Sequence, residues 1–325
     1  MPTAVDLALE IGPRIAKIAL FIALGVSLAD LLVRFGAIER IAGLSRYLTR
    51  PAKLPDEVGA AILTTAASTT AGYGMLAEFR ESGALDDRAT LVAVTINTFF
   101  GFVQHIFTFY APVLIPILGL EVGLLYVGSR AAIALAITLT GVLAGRLLLS
   151  EGNVSPVTAP VETDGAGEES DEPATVGGKL RAAGRKGASK TRDILPRLAV
   201  IYTAVALLTA YYDLGSVTGA ADPLAELVGL PVAAVPVIAV FAIDTTSGAV
   251  TIAPLLGTTF TPEQAVATML VGGVVSFAVT TFKRSIPFQY GIWGAEFGSK
   301  VVAVNTALKV VFIALAVGLL LYGPV

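Results

Sequence analysis

The sequence predicts an all-α membrane protein with several spanning segments, built from two related halves. Hydrophobic residues make up 55% of the 325 residues and charged residues only 14%, whereas a soluble domain carries roughly 25% charged residues. Several apolar windows approach or reach the roughly 20 residues that cross a bilayer as a helix. A third observation is an internal repeat that relates residues 1–150 to residues 196–325. The clearest apolar windows are Ile15–Val33, Ala131–Leu149, Leu198–Tyr211 and Val301–Leu321.

The residue types that most catalytic and metal sites need are sparse. The chain has no cysteine and one histidine, which excludes disulfides and thiolate metal sites. It also lacks a nucleophile elbow and a phosphate-binding Gly-Lys loop. Asp213 and Asp244 invite comparison with a two-aspartate intramembrane protease, but Asp244 lacks the Gly-x-Gly setting and Asp213 has a twin at Asp30. We therefore expect no enzyme, no metal site, no cofactor and no nucleic-acid partner.

The chain divides at residues 151–195, which are rich in Gly, Ala, Ser, Pro and charge. The first part of this segment is acidic and the second part is basic, and neither holds enough apolar residues to form a core. We predict a disordered charged linker at 151–195 between a first membrane repeat, 1–150, and a second, 196–325. The N-terminus lacks a basic region and a small-residue cleavage site, so we predict no removable signal peptide.

Three blocks of the first half recur in the second half in the same order. The position offset between equivalent residues changes only from 183 to 176 to 175 along the chain, which favours duplication over chance. The matched blocks are PRIAKIALFIALGVSLAD (13–30) with PRLAVIYTAVALLTAYYD (196–213), STTAG (68–72) with DTTSG (244–248), and YAPVLIPILGLEVG (110–123) with SIPFQYGIWGAEFG (285–298).

Each half reads as the same succession of elements. The long apolar region of the first half, 88–119, would extend about 48 Å as one helix, against a hydrocarbon core of about 30 Å. Pro112 and Pro116 favour two shorter pieces, which gives five segments per half. The elements in order are a spanning helix (14–36 or 197–214), an interfacial amphipathic stretch, a segment broken by the STTAG or DTTSG motif (56–80 or 231–257), a long apolar region (88–119 or 263–294) and a last spanning helix (122–149 or 299–322).

An odd number of segments per half, and the charges of the loops, predict opposite orientations for the two halves. The loop 37–53 carries four Lys or Arg residues, whereas the equivalent loop 215–230 carries none. Short loops rich in Lys and Arg stay in the cytoplasm. We therefore predict two inverted repeats of about five helical segments each, with 8–10 spanning segments in total, in the cell membrane. The linker 151–195 is expected on the cytoplasmic side.

The STTAG and DTTSG motifs are predicted to interrupt helices inside the membrane. Irregular backbone survives there only where it lines a cavity or is covered by protein, and broken helices at matching places in two halves indicate a transport site. Small residues and hydroxyls also serve close helix packing, which is the alternative. The candidate substrate-binding residues from the motifs are Ser68, Thr69, Thr70, Gly72, Asp244, Thr245, Thr246, Ser247 and Gly248.

Two polar residues in apolar segments, Asp244 and His105, have both a functional and a structural interpretation. An ionisable group in a spanning segment is costly, so Asp244 is our candidate for binding a coupling ion; alternatively it caps the following helix. His105, beside Gln104 and near Asn97, completes the candidate substrate-binding set. A proton relay through His105 and a satisfied core histidine both remain open.

The stretch from RIAGLSRYL through GAAIL, STTAG, LAEF and LVAVTINTFF, residues 40–100, resembles the nucleoside recognition domain, also called the Gate domain. The stretch from PLAELVGL through IDTTSG to EQAVATML, residues 223–270, is similar to a second copy. Members of that family include the membrane part of ferrous iron transporter B, spore maturation membrane proteins and relatives of concentrative nucleoside transporters. The resemblance implies a fold with two Gate-like halves and a transporter or permease function. Because the motif has no cysteine and no GTPase is attached, iron is not implied.

We expect a membrane transporter that moves a small polar solute or ion through a site between the two motifs, coupled to protons or another ion. The alternative is an accessory or interaction membrane protein without transport, and an intramembrane enzyme ranks below both. The expected partners are the lipid bilayer and the small solute or ion. Whether the chain forms a homo-oligomer is a question that the sequence leaves open.

Overall fold

A computed structural model describes residues 4–35, 45–155, 175–211, 229–280 and 285–323. The regular structure in these ranges is helical, which confirms the predicted all-α fold class over the described residues. The helices are α1 (Ala4–Arg34), α2 (Ser45–Thr49), α3 (Asp56–Ala67), α4 (Thr69–Glu81), α5 (Asp87–Ile96), α6 (Thr98–His105), α7 (Ile115–Leu118), α8 (Leu120–Leu148), α9 (Val176–Tyr211), α10 (Ala234–Ile243), α11 (Thr245–Ile252), α12 (Pro262–Thr280) and α13 (Ile286–Tyr322).

Four helical stretches of the described chain are long and apolar enough to cross a membrane: Ile11–Leu28, Asp87–Leu118, Leu120–Leu148 and Ile286–Tyr322. Three of the four windows found in the sequence overlap these stretches. The fourth, Leu198–Tyr211, lies in α9, which is not among them. Leucines spaced four residues apart project from α8 into the surroundings, at 40–70% exposure, as lipid-facing side chains would: Leu135, Leu139, Leu143 and Leu147.

The structure corrects the linker prediction for residues 176–195, which form the first half of α9 and pack along α1. Ala183 and Ile194 are buried against neighbouring helices, and a side chain at Gly187 would collide with the Ala23 carbonyl and the Ser27 hydroxyl. A small number of apolar residues along one face of this helix is therefore enough to pack it against α1. Residues 156–174 of the predicted linker lie outside the described chain.

Charge also holds α1 against α9. The buried carboxylate of Asp30 accepts hydrogen bonds from Arg34 Nε at 2.6 Å and Lys186 Nζ at 2.5 Å. Burial acts to raise the pKa of Asp30, but the hydrogen bonds and charges of Arg34 and Lys186 outweigh burial and hold that pKa below its ordinary value. The basic part of the predicted linker thus has a structural partner in α1.

The structure also corrects the division of the first long apolar region into two pieces. The backbone stays helical from Asp87 to Leu118, because the junction residues Asn97, His105 and Ile115 all keep right-handed helical angles. Pro112 is accommodated in a π-helical stretch, Ile106–Leu114, whose looser hydrogen bonding tolerates the missing N–H. The true break comes at Gly119, where φ is 83° and ψ is 168°.

Equivalent positions of the two halves share unusual backbone geometry. Ser68 and Asp244, 176 positions apart, each interrupt a helix with extended angles, φ −142° and ψ 110° against φ −149° and ψ 122°. Gly119 and Gly294, 175 positions apart, both adopt a conformation open mainly to glycine, and Gly294 has φ 74° and ψ 165°. The same irregularities therefore occur at the offsets found in the sequence.

Two hydrophobic clusters hold the described helices together. The first is formed by residues 52–100, Leu149 and the start of α13, and it contains the break at Ser68. The second joins α1, the region 102–137, α9 and residues 230–270, and it surrounds the break at Asp244. The two motifs therefore lie in different packing environments.

Candidate functional site

The break at Ser68 is an ordered polar junction. The Ser68 hydroxyl accepts a hydrogen bond from the Ala71 N–H at 3.3 Å and so caps α4. The Thr69 hydroxyl donates to Gln104 Oε1 at 2.7 Å, and Gln104 Nε2 donates to the Ala67 carbonyl at 3.4 Å. Gln104 thereby satisfies a carbonyl that the end of α3 leaves without an intrahelical partner.

The break at Asp244 has a stronger cap, and the helical turn that follows it is buried. One carboxylate oxygen of Asp244 accepts hydrogen bonds from the Ser247 N–H and the Ser247 hydroxyl, both at 2.6 Å. Thr246, Ser247 and Gly248 are buried, and a side chain at Gly248 would approach Phe241 Cα to 2.5 Å. The capping role that the sequence left as an alternative for Asp244 is therefore present in the structure.

A cavity of about 300 Å³ lies between α4, the helical run from α5 to the π-helical stretch, α8, and α13. Of the predicted substrate-binding residues, Thr69, Asn97 and His105 line it. Ser68, Thr70, Gly72 and Gln104 lie in or beside the first motif but are not part of the wall. None of the five residues Asp244, Thr245, Thr246, Ser247 and Gly248 lines this cavity. The structure thus joins the first motif, but not the second, to the cavity.

Asn97 stands out in the cavity wall. It is 1% exposed, and neither its amide nitrogen nor its amide oxygen forms a hydrogen bond in the described part of the chain. The backbone on either side of Asn97 is held by Thr138 of α8, whose hydroxyl donates to the Ile96 carbonyl at 2.9 Å and accepts from the Phe99 N–H at 3.2 Å. A buried amide without partners is costly, so the packing fixes this side chain where its hydrogen-bonding capacity is unused.

Two cations that our sequence reasoning missed also line the cavity. Arg130 of α8 donates to the Tyr110 hydroxyl at 3.2 Å. Lys309 of α13 lies over the ring of Phe277, 5.3 Å from its centroid. Among the described residues that form the wall, none is Asp or Glu. The sequence signal was present, because both cations lie inside the predicted last spanning helices, 122–149 and 299–322, where charged side chains are costly and usually functional.

His105 sits at the edge of the cavity with an exposed ring. Its Nδ1 lies 2.9 Å from the Gly101 carbonyl, which can only accept, so Nδ1 donates there and Nε2 is left for another contact. The ring is 6.4 Å from the ring of Tyr110. His105 is thus placed beside the Tyr110–Arg130 pair.

Both halves contribute equivalent positions to the cavity. Four pairs of lining residues are separated by the same offset of 175: Phe102 and Phe277, Tyr110 and Ser285, Arg130 and Asn305, and Ala134 and Lys309. The last helices of the two halves, α8 and α13, therefore present the same face to the cavity. This arrangement places the cavity between the halves, although not between the two motifs.

No family model matches the chain, and no solved structure matches it. Two uncharacterized proteins of Methanocaldococcus jannaschii are similar to it. One is 24% identical over 308 residues, which cover 94% of this chain and 93% of the relative. The other is 21% identical over 318 residues, which cover 96% of this chain and 99% of the relative. The similarity extends over both halves and the segment between them, and the resemblance to the Gate domain stays a prediction.

Proposed function

We propose that this protein is a membrane permease that moves a small polar solute or ion through the cavity between its two halves. The observation that carries the proposal is the set of four lining pairs at one offset. Transporters built from repeated halves bind substrate where the repeats meet. A cavity lined by equivalent faces of α8 and α13 is what such a construction provides.

The polar lining supports solute binding over simple packing. Thr69, Asn97, Asn305 and Thr306 line the cavity together with its charged residues, although the flanking helices are apolar enough to span a bilayer. Polar groups in such helices are costly unless they line a polar space. In this proposal the two halves are inverted repeats in the cell membrane, and the solute is exposed to each side in turn as one half rocks against the other.

In this proposal the solute binds in the cavity and does not contact the second motif. The Asp244 carboxylate serves the cap of α11, and coupling of transport to an ion through Asp244 stays a prediction. The junction at Ser68 contributes through Thr69, which connects the broken helix to both Gln104 and the cavity.

One observation favours the second candidate, an accessory membrane protein without transport. The Asp244 break is packed against Phe241, as a purely structural device would be. On this alternative the cavity is a product of helix packing and passes no solute.

Transport can be tested with the full-length chain reconstituted in liposomes. Uptake of nucleosides, divalent metals, phosphorylated compounds and carboxylates is measured against protein-free liposomes. Asn305→Trp fills the cavity from α13 and should abolish uptake of the active solute. Val304→Trp is the matched control, because Val304 is the adjacent residue and is 37% exposed, outside the lining.

The proposal fails if no solute enters faster than into protein-free liposomes. It also fails if Asn305→Trp and Val304→Trp, both monodisperse after purification, transport equally well. In the first case the accessory role becomes the better interpretation.

A further inference from the structure

The cavity carries positive charge for which the described residues provide no counter-charge. Arg130 and Lys309 both line it, and neither forms an ion pair with a described residue. We propose that the cavity binds an oxyanion, a carboxylate or phosphate group, with Arg130, Lys309 and Asn97 as its ligands. As the substrate class of a transporter, this inference rests on the function proposed above, but the binding site itself does not require transport.

Arg130 has donors to spare. A guanidinium carries five N–H donors, and one hydrogen bond, to the Tyr110 hydroxyl, is formed within the described chain. That bond, with the Tyr110 ring 6.0 Å from the guanidinium carbon, orients the group without neutralising it. The fork of an arginine matches the two oxygens of a carboxylate or phosphate.

Lys309 is placed on the opposite helix in a way that also leaves its charge uncompensated. The face of the Phe277 ring gives it a cation–π contact at 5.3 Å, which is worth much less than an ion pair. Two like charges that share one cavity repel each other, and weak screening away from water strengthens the repulsion. A bound anion would convert this repulsion into attraction toward both walls.

Asn97 supplies an independent observation that points to a ligand. Asn97 is part of the wall of the same cavity, its side chain is almost fully buried there, and its amide has two unused N–H donors. A neutral solute could also use this amide, but it would leave Arg130 and Lys309 without a partner. An oxyanion can neutralise both cations and can also accept a hydrogen bond from an amide, and so it is the ligand class that the wall favours.

The volume of the cavity limits the size of the molecule that carries the oxyanion group. About 300 Å³ is at the small end of ligand pockets, which run from roughly 300 to 1,000 Å³. The cavity therefore suits inorganic phosphate or a small organic acid.

Binding can be measured on the purified full-length chain in phosphatidylcholine nanodiscs, with sodium phosphate and sodium succinate as probes. Sodium chloride at matched ionic strength is the reference. A ligand that binds the folded state raises the melting temperature in a saturable way. We expect such a rise with at least one of the two oxyanions.

Arg130→Gln and Asn97→Leu should each weaken the apparent affinity by about ten- to hundredfold, as expected for loss of a charge-assisted or buried hydrogen bond. Asn97→Leu removes two unpartnered polar atoms, so without anion it should be at least as stable as wild type. That result separates a binding role from a structural one, even if Arg130→Gln folds poorly. Arg146→Gln removes an exposed cation of the same helix α8 and should respond to anions as wild type does.

Nanodiscs that also contain phosphatidylglycerol identify the source of the oxyanion. If a lipid headgroup occupies the site, these discs stabilise wild type but not Arg130→Gln, and free phosphate adds nothing. If a soluble anion occupies it, free phosphate or succinate acts in both kinds of disc. Both outcomes support the oxyanion site.

The proposal is overturned if neither anion, nor phosphatidylglycerol, stabilises wild type beyond the chloride reference. Equal stabilisation of wild type and Asn97→Leu also overturns it. Its failure is distinguishable from failure of the permease proposal. Uptake of a neutral or cationic solute, without anion binding, leaves transport intact and removes this inference, whereas anion binding without uptake does the reverse.

Discussion

The two helix breaks have nearly the same backbone but opposite surroundings. At Ser68 the chain contributes Thr69 to a polar cavity, whereas the helix that follows Asp244 packs into a hydrophobic cluster. Phe241 packs between Gly248 and Gly272 in the second half. The equivalent positions of the first half hold Thr65, Gly72 and Asn97, respectively.

This exchange of side chains shows how one backbone unit serves two purposes. An aromatic ring fills the space beside the second break, and two glycines leave room for it. In the first half a threonine and an asparagine stand at two of those positions, and the asparagine lines the cavity. A duplicated break therefore does not imply a duplicated binding site, because the neighbouring side chains decide whether the polar junction stays open.

The largest effects should come from the glycines at which both halves agree. A Cβ at residue 72 would lie 2.6 Å from the Thr65 nitrogen and 2.7 Å from the Ala61 carbonyl oxygen, and a Cβ at residue 248 would lie 2.5 Å from Phe241 Cα. These clashes involve backbone and cannot be relieved by rotating a side chain. We expect Gly72→Ala and Gly248→Ala each to lower the free energy of unfolding by about 3 kcal/mol, the upper end of the usual cost of overpacking. The melting temperature of the purified chain is the measurement.

Gly74→Ala on the same helix α4 is the control for that comparison. A side chain at Gly74 meets no atom within 4 Å, so alanine should leave stability unchanged or raise it by about 0.5–1 kcal/mol through helix propensity. If Gly72→Ala were as stable as Gly74→Ala, the close packing of the first break would be disproved. A large loss at Gly248 alone would mean that the first break is looser than the second.

A smaller effect is expected where the halves share a dihedral angle rather than a close contact. Gly119 and Gly294 have positive φ and extended ψ, and a Cβ at either meets nothing within 4 Å. Alanine at either position should therefore cost about 1–3 kcal/mol through backbone strain alone. Similar losses of melting temperature in Gly119→Ala and Gly294→Ala would show that the two turns are equivalent.

Gly128→Ala and Gly318→Ala test the same substitution within α8 and α13. Neither glycine has a positive φ, and each has open space around it, so these variants should match or exceed wild type in stability. A loss at Gly128 as large as that at Gly119 would indicate a general intolerance of the helices to alanine, and the turn geometry would not be the cause.

Much of the backbone could be predicted from the sequence because local chemistry determines it. Hydroxyls and glycine within apolar runs predicted the breaks at residues 68 and 244, and the constant offset predicted which irregularities would recur. The early start of α9 was missed because its contacts are long-range: Lys186 pairs with Asp30, far away in sequence. Composition alone made that segment resemble a linker.

The candidate site was only partly predictable. Thr69, Asn97 and His105 were selected because they are polar residues in apolar segments, and they line the cavity. Arg130 and Lys309 meet the same criterion, but each is a single charge in a last helix and belongs to neither repeated motif. That Phe241 would pack against Gly248 of the second motif could not be foreseen, because it depends on which face of α10 packs against α11.

The smallest predicted effect concerns the caps at the two breaks. The carboxylate of Asp244 accepts two bonds of 2.6 Å at the N-terminus of α11, whereas Ser68 accepts one bond of 3.3 Å. A negative charge at a helix N-terminus also gains from the helix dipole. We therefore expect Asp244→Ala to lower the free energy of unfolding by about 1–2 kcal/mol and Ser68→Ala by about 0.5–1 kcal/mol, measured as melting temperatures.

Exchanging the caps sharpens this comparison. Asp244→Ser keeps a capping oxygen and should recover part of the stability that alanine loses, and Ser68→Asp should be neutral or slightly stabilising. These expectations fail if Asp244→Ser is no better than Asp244→Ala, because the carboxylate would then do more than cap the helix. If Asp244→Ser keeps its stability but loses solute uptake, the coupling role predicted from the sequence would gain support, although the second break does not line the cavity.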